Sequence, residues 1–170
     1  MQKISTVLWY EHQAEEAAEH YVEVFNSRPG SLGTSKVTGV SRYGKAGPRE
    51  PGSAMTVTFE LEGQEYIALN GGPHHTFNEA ISLLVRCGSQ DEVDHFWGSL
   101  VSGGGEESMC GWLKDRYGLS WQIVPNRLFE LIGDPDPERA KRATEAMLQM
   151  RKLDVAGLER AADAAQGPGA

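Results

Sequence analysis

The side chains with most chemistry to offer are five histidines, two cysteines and four tryptophans, with a few amides and hydroxyls on β-prone segments. Imidazole titrates near neutrality and can act as a general base or a metal ligand. His12 stands at the start of a helical segment, and His20 and His95 lie off the apolar stripes of theirs, as solvated or capping side chains do. His74 and His75 follow Pro73. Adjacent residues of an extended chain point to opposite faces, so the two do not close on one ion. One of them could reach a cavity mouth as a base, and a polar loop is the plainer reading. Cys87 and Cys110 form no CxxC pair and read as free thiols in a reducing cytoplasm. A nucleophilic Cys110 would need a base or a positive field, and the sequence nominates neither. Glu106 and Glu107 are either an acid pair or two solvated carboxylates in a glycine-rich loop.

The aromatic and amide residues are better placed. Trp9, Trp112 and Trp121 all fall on expected strands. There they either fill the core or wall an apolar pocket for an aromatic or planar ligand. Asn70 and Gln122 can present amide donors and acceptors to such a ligand, with Ser82 and Cys110 facing the same cavity. For Asn70 the alternative is turn chemistry ahead of Gly71-Gly72.

These residues are carried by a short set of elements. Ile4 to Tyr10 reads as a strand. Ala14, Ala17, Ala18, Tyr21, Val22 and Phe25 then recur at helical spacing, with Glu15, Glu16, Glu19 and Glu23 off the stripe. Strands are expected over Lys36 to Tyr43, Met55 to Leu61 and Glu65 to Leu69, the last two closing as a hairpin across Glu62-Gly63-Gln64. After Asn70-Gly71-Gly72-Pro73 the order repeats. Ala80 to Arg86 is a strand. Ser89, with Glu92 three residues on, opens a helix whose stripe is Val93, Phe96, Trp97, Leu100 and Val101. Glycines 103 to 105 stop it, and short strands follow at Glu107 to Met109, Cys110 to Asp115 and Ser120 to Val124. Each copy leaves one sheet face uncovered, so the two are expected to pack together. Pro125 to Ile132 is a short helix or turn. Asp136 then caps a helix with Pro137 at its first position and an Ala140, Ala143, Met147, Met150 stripe. Asp154 caps a last turn or two with Val155 and Leu158, and Ala161 to Ala170 reads as a frayed tail. The Ala and Met stripe docks either on its own domain or on a second subunit.

Composition bounds the partners. The 170 residues carry 16 Lys and Arg against 24 Asp and Glu, a net charge of −8. That balance argues against nucleic acid or an anionic membrane surface, since no basic patch is available to neutralise phosphates. No apolar run approaches the roughly 20 residues needed to cross a bilayer, and the N-terminus lacks a signal-type apolar core. There is no Walker loop and no GxGxxG after a strand.

Leu8-Trp9-Tyr10 running into the Ala14 to Phe25 helix, Ala68-Leu69-Asn70-Gly71-Gly72-Pro73 and Glu79-Ala80-Ile81-Ser82 carry a family resemblance. So do Cys110-Gly111-Trp112-Leu113-Lys114-Asp115, Tyr117-Gly118-Leu119-Ser120-Trp121-Gln122-Ile123-Val124-Pro125 and Asp134-Pro135-Asp136-Pro137. Together they resemble the vicinal oxygen chelate superfamily, the glyoxalase and bleomycin-resistance fold, and within it the PhnB-like, demethylubiquinone methyltransferase-like branch. The resemblance implies an α+β fold in which two βαβββ modules form one curved eight-stranded mixed sheet with a central cavity, and usually a homodimer. Residues 1–125 are the paired domain, with modules at 1–73 and 79–125. Residues 126–160 form a helical extension and 161–170 a flexible tail.

Metal enzymes of the superfamily carry His or Glu ligands on the first and last strands of a module. The resemblance places those positions at Ser82 and Gln122 in the second module, and at Ser5 or Ile4 and Ile67 or Asn70 in the first. None is His, Asp or Glu. The methyltransferase label meets a similar difficulty. The first strand runs into Tyr10-Glu11-His12-Gln13, with no glycine-rich turn for a methyl donor. The expectation is a cytoplasmic, homodimeric protein without metal or other cofactor. It binds a small organic molecule through Trp9, Asn70, Ser82, Trp112, Trp121 and Gln122. The alternative is an enzyme of the same superfamily: a metal-dependent isomerase, lyase or dioxygenase, or the methyltransferase of the family label.

Overall fold

A computed structural model describes residues 3–164. Residues 165–170, most of the expected tail, lie outside the described residues, as do Met1 and Gln2. The chain divides into two compact units, Met1–Asn78 and Glu79–Ala170.

In the first unit, β1 (Thr6–Tyr10) leads into α1 (Ala14–Asn26), then β2 (Lys36–Arg42), β3 (Ala54–Leu61) and β4 (Gln64–Asn70). The strands pair in the order β1-β4-β3-β2, with β1 parallel to β4 and the other pairs antiparallel. The β3–β4 hairpin turns in two residues, Glu62 and Gly63, both with positive φ (50° and 85°). Such a turn matches the right-handed twist of the strands it joins. The helix buries Ala14, Ala17, Ala18, Tyr21, Val24 and Phe25. Val24, three residues after Tyr21, takes the place expected for Val22. At 100° per residue Val24 falls within the stripe that Val22 only flanks.

Asn70 ties this unit together. It is 5% exposed. Its Oδ1 accepts from the Ala14 N–H at 2.8 Å, satisfying an amide at the start of α1, and its Nδ2 donates to the Ala54 carbonyl at 3.0 Å. The next residue must be glycine for packing reasons. A Cβ on Gly71 would meet the Trp9 ring at 2.2 Å. The same indole donates from Nε1 to the Gly72 carbonyl at 2.8 Å, so the Asn-Gly-Gly-Pro loop grips Trp9.

The second unit holds β5 (Leu83–Cys87), α2 (Gln90–Val101), β6 (Glu106–Glu107), β7 (Trp112–Lys114) and β8 (Ser120–Pro125). They pair in the order β5-β8-β7-β6, again with the outer pair β5–β8 parallel. The α+β class and the repeated module order are those expected. By strand pairing the expected eight-stranded sheet is two sheets of four. The capping signal at Ser89 holds: its Oγ accepts from the Glu92 N–H at 3.2 Å, while the Glu92 carboxylate accepts from the Gly88 N–H at 2.6 Å. The β5 ladder starts three residues later than expected. The strands expected at Glu107 to Met109 and Cys110 to Asp115 shrink to Glu106–Glu107 and Trp112–Lys114.

The second shortening has a clear cause. Cys110 and Gly111 both adopt positive φ (59° and 83°) and turn the chain. Their amides donate to the Met150 and Arg151 carbonyls at 2.7 and 2.8 Å, and the Gly111 carbonyl accepts from the Ile123 N–H at 2.8 Å. The turn is therefore the anchor for the C-terminal segment. That segment forms α3 (Asn126–Ile132), α4 (Pro137–Leu148) and α5 (Val155–Asp163). Asp136 and Asp154 cap α4 and α5 as expected, accepting from the Glu138 and Gly157 amides. α5 runs two residues past Ala161, where the tail was expected to begin. The Arg142 guanidinium donates to the Ala161 and Ala162 carbonyls at the end of α5, where a cation is favoured. Val124, Leu128, Leu131, Ala143, Leu153, Leu158 and Ala162 form one buried cluster, with Met147 and Met150 against it. Gln90 of α2 completes the docking, donating to the Leu153 carbonyl at 3.1 Å and accepting from the Val155 N–H at 2.8 Å. The extension thus docks on the second unit of its own chain.

The other lock is Asp115, 3% exposed. Its Oδ1 accepts from the Tyr117 and Leu119 amides at 2.9 and 3.1 Å, and its Oδ2 accepts from the Trp121 indole Nε1–H at 2.9 Å. One carboxylate thereby fixes the β7–β8 turn and the core tryptophan.

Two stability outcomes follow. Leu153→Ala is expected to cost about 2–5 kcal/mol in urea unfolding, as for other fully buried leucines. Asp115→Ala removes three hydrogen bonds to a buried charge, each worth about 1.5–3 kcal/mol. It should lower the unfolding midpoint and shift the Trp121 emission, whereas Asp91→Ala on the exposed side of α2 should leave both in place.

Candidate functional site

The β7–β8 hairpin sorts its side chains by alternation. Trp112 stands opposite Gln122, Leu113 opposite Trp121 and Lys114 opposite Ser120. Leu113 and Trp121 are both 1% exposed and lie on the α2 side of the sheet. Trp112, Lys114, Ser120 and Gln122 therefore share the face turned away from α2. Glu106 joins them, because β6 places it opposite Lys114.

This face carries a cleft of about 440 Å³. Trp112, Lys114 and Ser120 line it on the hairpin, together with Glu79 and Glu106. Lys114 Nζ donates to the Glu79 carboxylate. That hydrogen bond is the main reason the Glu79 carboxyl is held below the usual carboxylate range and the Lys114 ammonium above the usual lysine range. Glu106 adds a weaker pull on the same ammonium. Glu107, also at the cleft, turns to the helix side, where it accepts from the Trp97 indole at 2.9 Å and lies 3.8 Å from Arg151.

One lining atom stands apart. Ser120 is 1% exposed, and among the described residues its Oγ is the buried side-chain polar atom without a hydrogen-bond partner. An unmet buried hydroxyl costs about 1–3 kcal/mol, so such atoms are uncommon.

Of the expected site residues, Ser82, Trp112 and Gln122 come together. Gln122 Nε2 donates to Ser82 Oγ at 2.8 Å, in the cross-strand row next to Ser120 and Lys114. Trp121 instead fills the core, with its indole bonded to Asp115. Trp9 and Asn70 belong to the first unit. Trp9 is held by Gly71 and Gly72, with the His75 ring edge-on at 4.7 Å, and both ends of the Asn70 amide are bonded within the protein. Sequence reasoning missed Glu79, Lys114 and Ser120 as a set. The signal was available: Trp112 and Gln122, Leu113 and Trp121, and Lys114 and Ser120 are each equidistant from Tyr117. A hairpin centred there separates Trp112 from Trp121 and puts Lys114 beside Ser120.

The positions that the resemblance assigns to metal ligands do not fit a metal. Ser82 and Gln122 offer a neutral hydroxyl and an amide, already hydrogen-bonded to each other. Such donors hold a transition metal poorly. In the first unit Ser5 Oγ donates to Glu65. Among the described residues no three His, Cys, Asp or Glu side chains are grouped to hold an ion. Cys87 and Cys110 are free thiols, the first buried. No described helix is long and apolar enough to cross a membrane.

Residues 2–124 match the family described as 3-demethylubiquinone-9 3-methyltransferase. No curated protein matches the chain. Among solved structures, a putative 3-demethylubiquinone-9 3-methyltransferase, PhnB protein, from Bacillus cereus is 34% identical. That match covers 73% of this chain and 99% of the other, with a TM-score of 0.64. Protein PA1353 from Pseudomonas aeruginosa shares the fold at 16% identity, covering 74% of this chain and 98% of the other, with a TM-score of 0.56. The family match over residues 2–124 and the 34% identity over 73% of the chain agree: the chain belongs to the 3-demethylubiquinone-9 3-methyltransferase family, the PhnB-like branch that its sequence resembles.

Proposed function

We propose that this protein binds a small organic molecule in the cleft on β6, β7 and β8 of the second unit, without a resident metal. The observation that carries the reading is the cleft itself. Its volume lies in the roughly 300–1,000 Å³ range of small-molecule sites, and its lining combines one large aromatic wall, Trp112, with a few convergent polar groups. The Ser82–Gln122 pair extends the polar lining along the sheet. The family description names a methyl transfer. Ligand binding is the broader reading, because the cleft supplies binding groups whereas β1 leads into α1 through no glycine-rich turn. The protein further acts in the cytoplasm, the compartment that suits its two free thiols, and as a homodimer, as the resemblance implies; its charge of −8 disfavours nucleic acid.

The reading is tested by a fragment screen followed by nuclear magnetic resonance of the tryptophan side-chain amides. Hits are expected to shift the Trp112 indole signal and leave Trp121 in place. Trp112→Ala should weaken a hit by about 2 kcal/mol, roughly 30-fold in Kd. Hits whose affinity survives that substitution would place the binding site elsewhere. Tight binding of S-adenosylmethionine in calorimetry would turn the reading toward the methyl transfer.

The metal-free part has its own outcome. After dialysis against Zn²⁺, Ni²⁺, Mn²⁺ and Fe²⁺ and desalting, elemental analysis is expected to find far less than one equivalent per chain. Light scattering of the eluted protein reports the dimer directly.

A further inference from the structure

Among the described residues one arginine is unmatched. Most arginines meet carboxylates, Arg142 meets the α5 carbonyls, and Arg86 and Arg116 lie over the Phe129 and Tyr117 rings. Arg49 is half-buried, and no hydrogen bond, ion pair or ring contact takes up its guanidinium. Glu50, next to it in sequence, makes no ion pair with it. Neither does Glu11, which follows the residue whose carbonyl holds the Gly71 amide.

The unmatched group is nevertheless held in place. The segment between β2 and β3 that carries it is tied at its base: the Tyr43 N–H donates to the Ser53 carbonyl at 2.9 Å, and the Gly52 N–H to the Tyr43 carbonyl at 2.8 Å. The Tyr43 hydroxyl then donates to the Asn70 carbonyl at 2.8 Å, which fixes the loop on the Asn70-Gly71-Gly72 turn. There Arg49 lies against Gly72. A Cβ on that glycine, whose φ is +95°, would meet Arg49 Nη2 at 2.9 Å and stand 3.8 Å from His74 Nε2. Guanidinium and imidazole thus flank one bare Cα on the same side, and neither is paired with a carboxylate. A guanidinium presents a planar fork of N–H donors that fits two oxygens of a carboxylate or phosphate, and an imidazole supplies a further N–H beside it.

We infer that Arg49 and His74, closing over Gly72, form a site for a small oxyanion, the carboxylate or phosphate group of an organic molecule. The site belongs to the first unit and shares no residue with the cleft of the second.

Trp9 reports on it, because its indole N–H is bonded to the Gly72 carbonyl. The full chain is titrated at constant ionic strength with sodium benzoate, inorganic phosphate or sodium chloride, and the indole signals are followed by nuclear magnetic resonance. At least one of the two oxyanions is expected to give a saturable shift of Trp9 and to leave Trp112 in place. The tighter of the two tells which group the site takes. Arg49→Gln should weaken that oxyanion by about tenfold or more and leave the melting temperature unchanged, because the guanidinium has no partner in the fold to lose. Arg49→Lys, which keeps the charge and loses the fork, should fall between the two, and His74→Ala should cost several-fold. A Trp9 shift that chloride reproduces, or that survives Arg49→Gln, would overturn the site as general screening of charge. No saturable Trp9 shift with either oxyanion up to tens of millimolar would overturn it as well, and neither result touches the reading of the cleft.

Discussion

The second unit depends on a buried carboxylate. Asp115 sits in the turn between β7 and β8 at 3% exposure, and a lone charge there would be costly. It is tolerated because two turn amides and one indole N–H point at it. The bonding also runs the other way. With Tyr117, Leu119 and Trp121 tied to one carboxylate, the hairpin has a single register. A slip of β8 by one residue would carry Trp121 out of the core. The lining of the cleft is thus a consequence of where one carboxylate finds its donors.

The first unit meets the same need with a neutral group. Asn70 ends β4, bonds the start of α1 and reaches β3. Because the amide donates and accepts at once, it joins elements that a carboxylate could only receive from. The loop that follows then closes on Trp9, with Gly71 small enough to lie against the ring. The two copies of the module therefore use their tryptophans differently. Trp9 is clasped by backbone at the end of a strand, Trp121 is buried on a carboxylate, and Trp112 is left on the face of a sheet with polar neighbours.

The helices were legible in the sequence because their signals are local. Apolar spacing marked α1 and α2, and Ser89, Asp136 and Asp154 marked helix starts that the structure shows as capped. The repeat of strand and helix gave the module order. Three features were less legible. Val22 and Val24 lie on opposite flanks of the α1 stripe, about 160° apart at 100° per residue, and residue type does not say which flank is buried. The Cys110-Gly111 turn replaces a strand because its amides bond to carbonyls about 40 residues further on, and no local pattern announces a partner that distant. Trp121 read as a pocket residue because a tryptophan on a strand suits either face. Its companion Asp115, six residues earlier, decided the matter. The site was half legible: Ser82, Trp112 and Gln122 come together, while Glu79, Lys114 and Ser120 carry residue types that any exposed loop or strand would show.

The C-terminal extension bears on the site through the backbone next to Trp112. Cys110 and Gly111 immediately precede β7, and both are held to the Met150-Arg151 backbone. A Cβ at Gly111 would come within 2.8 Å of the Ile123 carbonyl and 3.0 Å of Leu153. The start of β7 is thereby wedged between β8 and the extension, and its far end is pinned by Asp115. A strand of three residues fixed at both ends has little freedom to relax. It holds Trp112 and Lys114 on one face of the sheet. Preorganisation of this kind lowers the ordering cost of binding. The extension and the buried carboxylate, neither of them among the residues lining the cleft, thereby set the strand that does line it.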